Sequence, residues 1–358
     1  SCKKPTEPTE EKIYNRKYEW TIDTITYRDN ILPWPMQTSI NCIWGSSTKN
    51  VWAVGTSSGG DQVFHYDGNE WSYVKDDKLK LPLNGQDQLG HNVARPTCVV
   101  GFDSTEILIG CQRGYYELDT CVSMILKWNG KQWIDVPFFN GKRTPGGIMW
   151  MITDSFRRTW AVTWEGYVVR YENGVCNTEP KFTDYLLGSP VIAATNDGRV
   201  FVNAYKDSIE NNKLRGQICN LFGRDLDGNW SLLEHKVILG SYYDDNGLGL
   251  GLFGIGDRIF TSNAGIWERK NNGTWIKISP PTFRNKGGAC FNDENNFWFW
   301  HKYDLYHIKN DEWEKIEVPV LINLSGGFLY GQGWSDGKEV FIPIIHNETS
   351  YILHGKLK

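Results

Sequence analysis

One short pattern recurs along this 358-residue chain and constrains its fold more than any other feature. A turn-forming pair is followed within a few residues by a tryptophan that starts a new apolar–polar alternation. Asp67-Gly68-Asn69-Glu70-Trp71 is one instance, and Asn129-Gly130-Lys131-Gln132-Trp133, Asp227-Gly228-Asn229-Trp230 and Asn272-Gly273-Thr274-Trp275 repeat it. Asn173-Gly174-Val175-Cys176 and Asn310-Asp311-Glu312-Trp313 keep the turn with a substituted element. Asp-Gly and Asn-Gly suit the φ > 0 turn of a tight hairpin. Each instance therefore marks one strand passing to the next.

Upstream of these endings lie apolar runs such as Val51-Trp52-Ala53-Val54, Ile107-Leu108-Ile109, Trp160-Ala161-Val162 and Phe297-Trp298-Phe299. Small-residue pairs, Gly146-Gly147, Gly287-Gly288 and Gly326-Gly327, often announce the strand before each run. The first unit reads as four strands, around Cys42-Ile43-Trp44, residues 51–54, residues 63–66 and residues 71–74. Four-stranded repeats of roughly 40–50 residues are the signature of a β-propeller. Six complete endings fall between Trp71 and Trp313, and a seventh unit, Gly326 to Lys358, has only three strands. Tyr18-Glu19-Trp20-Thr21-Ile22 has the tryptophan and alternation of an outer strand. It is expected to complete the last blade and cover an otherwise open sheet edge. The predicted fold is all-β, a seven-bladed β-propeller of four-stranded antiparallel blades closed by the N-terminal strand. Residues 1–12 form a flexible tether and residues 13–358 the propeller domain.

Composition agrees with this reading. Aromatic residues make up 14% of the chain, with 17 Trp, which suits sheets packed face to face. No helical periodicity is sustained, and no apolar stretch of about 18 residues suggests a membrane-spanning helix. With 38 basic and 42 acidic residues, the net charge of −4 leaves no footprint for nucleic acid or an anionic membrane surface. No Cys-x-x-Cys or Cys/His cluster has zinc spacing. Asp244-Asp245-Asn246 reads as a solvated acidic loop, so neither a metal nor a cofactor is expected.

Ser1-Cys2-Lys3-Lys4 leads into a polar, Pro/Glu-rich run over residues 5–11 that is unlike a folded segment. A cysteine there, followed by a tether, resembles a mature bacterial lipoprotein with Cys2 as the lipid-bearing residue; Ser1 does not fit a chain processed at that cysteine. The resemblance implies an extracytoplasmic place at the cell envelope or surface, with the membrane touched only through the lipid anchor. Cys42, Cys98 and Cys290 fall on innermost strands, where free Cys packs as a small apolar residue. Cys111 and Cys121 flank one hairpin loop, residues 112–120. They are expected to form a disulfide, which that compartment would permit.

The stretches IWGSSTKNVWAVG (residues 43–55) and FHYDGNEW (residues 64–71) resemble the repeat of secreted and lipid-anchored bacterial propellers. The likeness is close over about 30 residues of the first blade, and the other blades keep only its skeleton. It implies architecture, since a fold of this kind hosts many functions.

Function is therefore sought in the connections. Loops between blades and loops between second and third strands share one face, and these are the longest and least repetitive segments. Tyr115, Tyr116, Trp164, Tyr205, Tyr242, Tyr243, Trp300 and His301 fall in or beside them. Stiff aromatic side chains on such loops suit sugar rings or protein surfaces. The preferred expectation is a non-enzymatic binding or assembly module for a glycan or protein on this face. The alternative is a carbohydrate-active hydrolase or lyase at the central funnel, using a carboxylate pair or His301. His65, His307 and His354 occupy equivalent third-strand positions and read as repeat features.

Overall fold

The computed structural model describes residues 17–25, 38–57, 60–74, 94–114, 121–182, 190–210, 213–239, 248, 251–262, 265–279, 288–301, 304–318, 328–329, 331–346 and 349–358. These build seven antiparallel sheets, the expected seven-bladed propeller. Blades 1 to 6 cover residues 38–73, 94–135, 148–181, 191–239, 251–277 and 288–316, each a four-strand meander whose spatial order is its chain order. In blade 7 the innermost position is shared by Phe328–Leu329 and Trp334–Ser335, followed outward by Glu339–His346 and Thr349–Leu357. The outermost strand is Tyr18–Thr24 from the other end of the chain, paired from Tyr18↔Leu357 to Thr24↔Tyr351. The N-terminal strand closes the ring. Among the described residues no helix is long and apolar enough to cross a membrane.

The second strands explain why the sheets stack. Residues 51–54, 107–109, 160–162 and 297–300 are buried without alternation. A continuous apolar run of this length fits a strand covered on both faces, here by the blades on either side. Innermost strands touch their neighbours around the ring, and blade 7 meets blade 1 through Ile43 N to Gln332 O at 2.8 Å and Gln332 N to Asn41 O at 3.0 Å. Glycine lets large side chains cross these seams. Trp44 of blade 1 lies on Gly101 of blade 2, and Trp334 of blade 7 lies on Gly45 of blade 1, where a Cβ would come within 3.0 Å of the ring.

A polar motif repeats beside the apolar runs of blades 1, 6 and 7. His65 packs on Trp52 with ring centroids 4.5 Å apart, its Nε2 2.8 Å from Asn50 Oδ1. His307 stacks on Trp298 at 4.1 Å, its Nε2 2.6 Å from Asn296 Oδ1. His354 stacks on Phe341 at 4.0 Å, its Nε2 2.7 Å from Glu339 Oε2. In blade 2 the same positions hold Lys127 and Glu106 at 2.6 Å. These histidines serve the repeat, as the sequence suggested.

Outer tryptophans latch one blade to the one before it. The indole N–H of Trp71 donates to Asp23 at 3.0 Å, that of Trp230 to Glu179 at 3.4 Å, and that of Trp275 to Glu234 at 2.7 Å. Each acceptor sits on the preceding blade's outermost strand.

The expected Cys111–Cys121 disulfide is not found, and Cys111 is buried in the core. Strand register explains this. Cys111 lies opposite Met124, while Cys121 lies opposite Gly114. Three residues of strand rise separate the two positions by about 10 Å, beyond the Cα separation a disulfide spans. Cys42 and Cys98 are buried free thiols, and burial pushes the Cys42 thiol up to about 12.

Asp23 joins the closing strand to both blades it serves, since His354 Nδ1 lies 3.5 Å from its Oδ2. Burial opposes its ionisation, but hydrogen bonds from His354 and Trp71 outweigh that and hold its pKa below the usual carboxylate value. A depressed native pKa adds stability that is complete above the unfolded value of about 3.9 and lost as pH falls through the native one. Asp23→Asn should therefore cost about 1–2 kcal/mol at neutral pH. Thermal melts of both proteins down to roughly pH 3 should show the difference shrinking below about pH 4. A difference independent of pH would dissociate the closure from this carboxylate.

Candidate functional site

Antiparallel meanders place first-to-second and third-to-fourth turns on one face of the ring. Those turns are short and bonded to themselves. Asp67 Oδ1 accepts from Asn69 N at 2.8 Å, Asn129 Oδ1 from Lys131 N at 3.0 Å and Asp336 Oδ1 from Lys338 N at 2.9 Å. An open cleft there, between blades 1 and 2, is lined by Trp44, Gly45, Gly101, Phe102 and Asp103. The Thr105 hydroxyl and N–H hold the Asp103 carboxyl down at about 2. It is a turn cap that stays ionised at neutral pH.

The other face carries the blade-to-blade connections and the second-to-third strand turns. At the seam of blades 2 and 3 this face is firmly built. The connector over residues 137–147 bonds to blade 2 through Ser123 N to Thr144 O at 2.9 Å, and to blade 3 through Cys176 N to Pro137 O at 2.9 Å. Arg143 pairs with Asp135 and donates to Ser123 O at 3.3 Å. Gly146, at φ +77°, and Gly147 bring the connector against Glu165 and Gln112, where any Cβ would collide.

Trp164 stands on this base. It belongs to a turn closed by Gly166 N to Thr163 O at 2.9 Å, with Gly166 at φ +79°. The turn is tied to the connector by Trp164 N to Gly147 O at 3.1 Å and to its own strand by Tyr167 N to Thr163 Oγ1 at 3.2 Å. The backbone is pinned at both ends while the residue is 46% exposed. Glu165, Gln112 and Trp164 thus converge at one seam: a carboxylate, an amide and an exposed aromatic plane. Beside them Lys181 lies 5.3 Å from the centroid of the Tyr167 ring.

The structure separates the remaining expected site residues. Trp300 is fully buried, a correction to its expected place on the binding face. It belongs to the strand Asn296–His301 and packs with Trp298, Leu305, Val340 and Ile342 between blades 6 and 7. Gly288 and Gly333 make room for its ring. Tyr205 is also no loop residue. Blade 4 continues its central strands to Glu210 and resumes at Lys213, so Tyr205 is mid-strand opposite Cys219 and packs half-buried against the blade core. Tyr115, Tyr116, Tyr242, Tyr243 and Cys2 lie outside the described residues, as does the His301 side chain. Among the described residues no group of three His, Cys, Asp or Glu side chains is arranged to hold a metal.

Neither protein-family models nor curated protein sequences give a match to the chain. Solved structures do. A structure of YCF48 bound to D1 peptide is similar over 100% of both chains, at 14% identity and a TM-score of 0.58. The WD40 propeller domain of Doa1 is similar over 95% of this chain and 97% of its own, at 10% identity and a TM-score of 0.53. A structural-genomics protein of unknown function from Bacteroides thetaiotaomicron is similar over 96% of this chain and 77% of its own, at 10% identity and a TM-score of 0.50. At these identities the shared property is the propeller fold.

The two tryptophans should respond oppositely to truncation. Trp300→Ala should lower stability by about 3–5 kcal/mol, as expected for a large buried aromatic. Trp164→Ala should stay within about 1 kcal/mol of the parent, since it removes a half-exposed side chain. Equilibrium urea unfolding of both variants measures the contrast, and similar losses would contradict it.

Proposed function

We propose that this propeller is a non-enzymatic binding or assembly module that holds a segment of a partner protein at Trp164. The reading rests on one observation: a tryptophan left 46% exposed on a turn whose backbone is bonded at both ends. A pre-positioned indole loses little conformational freedom on binding and offers a large contact surface, the properties of an interface anchor. Gln112 and Glu165 beside it would orient a peptide backbone or a basic side chain. That a similar propeller, YCF48, was solved bound to a peptide supports a protein partner. Placement outside the cytoplasm, with a lipid anchor at Cys2, belongs to the same reading and draws on the likeness of residues 43–55 to secreted and lipid-anchored propellers.

Peptide and glycan arrays probed with the parent protein and with Trp164→Ala test this directly. The parent should retain peptides, and Trp164→Ala should weaken them at least about fivefold, near 1 kcal/mol. Lys131→Ala, on the opposite face, should bind as the parent does. Retention of glycans alone would change the class of partner. Peptide binding unaltered by Trp164→Ala would move the site away from this seam.

A further inference from the structure

Blade 4 departs from the repeat at its rim. Its outermost strand, Trp230–Leu239, has 10 residues, whereas those of the other blades have 3 to 7. Among the described residues no strand pairs with its outer edge. Short rim strands limit the row of backbone donors and acceptors that an edge presents, and a long one is a template for strand addition. Apolar side chains accompany this edge: Leu232 is 54%, Leu233 41% and Val237 46% exposed.

The order of side chains along the edge says what would pair with it. Glu234 and Lys236 turn toward blade 5, Glu234 accepting from the Trp275 indole at 2.7 Å and Lys236 Nζ lying 3.3 Å from Leu248 O. His235 and Val237 occupy the opposite face, where His235 Nδ1 lies 2.7 Å from Asn220 Oδ1. Leu233 is the extra residue of a β-bulge between Leu232 and Glu234 and covers Gly223 on the blade 5 side. The regular ladder of this edge therefore resumes at Glu234. In Glu234-His235-Lys236 opposite charges flank His235, which is the midpoint.

We propose that two copies of the chain associate by antiparallel pairing of these strands about a twofold axis at His235. In that register Glu234 faces the second copy's Lys236 on one side of the joined sheet. Opposite charges directly across an antiparallel ladder are stabilising, and like charges there are destabilising. Shifting the register by two residues sets Glu234 against Glu234 or Lys236 against Lys236, so charge selects the centred pairing. An isologous contact of this kind closes on itself and leaves no free edge to propagate. Strand addition along so short an edge falls at or below the small end of specific interfaces, about 1,200 Å², so the dimer is reversible.

Sedimentation velocity on the full chain, up to several hundred micromolar, tests the pairing. The parent should shift from monomer to dimer with concentration. Glu234→Lys and Lys236→Glu each place like charges across the axis, and each should weaken the dimer at least tenfold. An equimolar mixture of these two variants should dimerise again, because one lysine pair then faces one glutamate pair. Thermal melts keep loss of fold separate from loss of pairing, and Lys236→Glu leaves the Trp275 latch intact. A parent that stays monomeric throughout overturns the proposal. So do single variants that dimerise like the parent, or a mixture that stays monomeric.

Discussion

Every blade has two apolar faces and can bury them only against its neighbours, so the structure depends on closing the ring. A sheet with Trp52, Val54 and Val63 buried could not stand alone in water, and the same holds for each neighbour. Burial around a ring is mutual, and the last seam decides whether it is complete. Here that seam joins the two ends of the chain. The strand Tyr18–Thr24 pairs with Thr349–Leu357, and Asp23 on it takes the indole of Trp71 from blade 1. Separated chain ends must meet before the final faces are covered, so closure carries an entropic cost that local hairpins do not. The latch at Asp23 concentrates hydrogen bonds at the one place where the chain supplies no peptide connection between strands.

How much of this was legible follows from how local each signal is. The Asp-Gly and Asn-Gly hairpins fix φ > 0 at particular residues and need no tertiary information, so the strand count and the seven blades could be read directly. The blade assignment of Tyr18–Thr24 was legible too, because its alternation matches the other rim strands. Register was not. Cys111 and Cys121 flank one loop in sequence, yet the ladder sets them opposite Met124 and Gly114. Trp300 and Tyr205 were misplaced because the repeat template ended their strands early. The unbroken run Phe297-Trp298-Phe299-Trp300 in fact continued a strand covered on both faces. One signal went unused: a carboxylate four residues past the start of a rim strand, as in Trp230 to Glu234 and Val175 to Glu179, accepts the next blade's indole.

The two faces of the ring divide the work by their hydrogen bonding. Turns on one face satisfy their own donors, with Asp67, Asp103 and Asp336 each capping backbone N–H groups within three residues. Such turns leave few groups to offer a partner. On the other face the connector over residues 137–147 directs its bonds into two blades and so holds Trp164 without covering it. A core residue is kept where its removal opens a cavity, and that argument accounts for Trp298 and Trp300 between blades 6 and 7. It does not account for an indole held half in water by a bonded turn. A rigidly held, half-exposed indole is well placed to meet a partner, which is why the recognition face is proposed there.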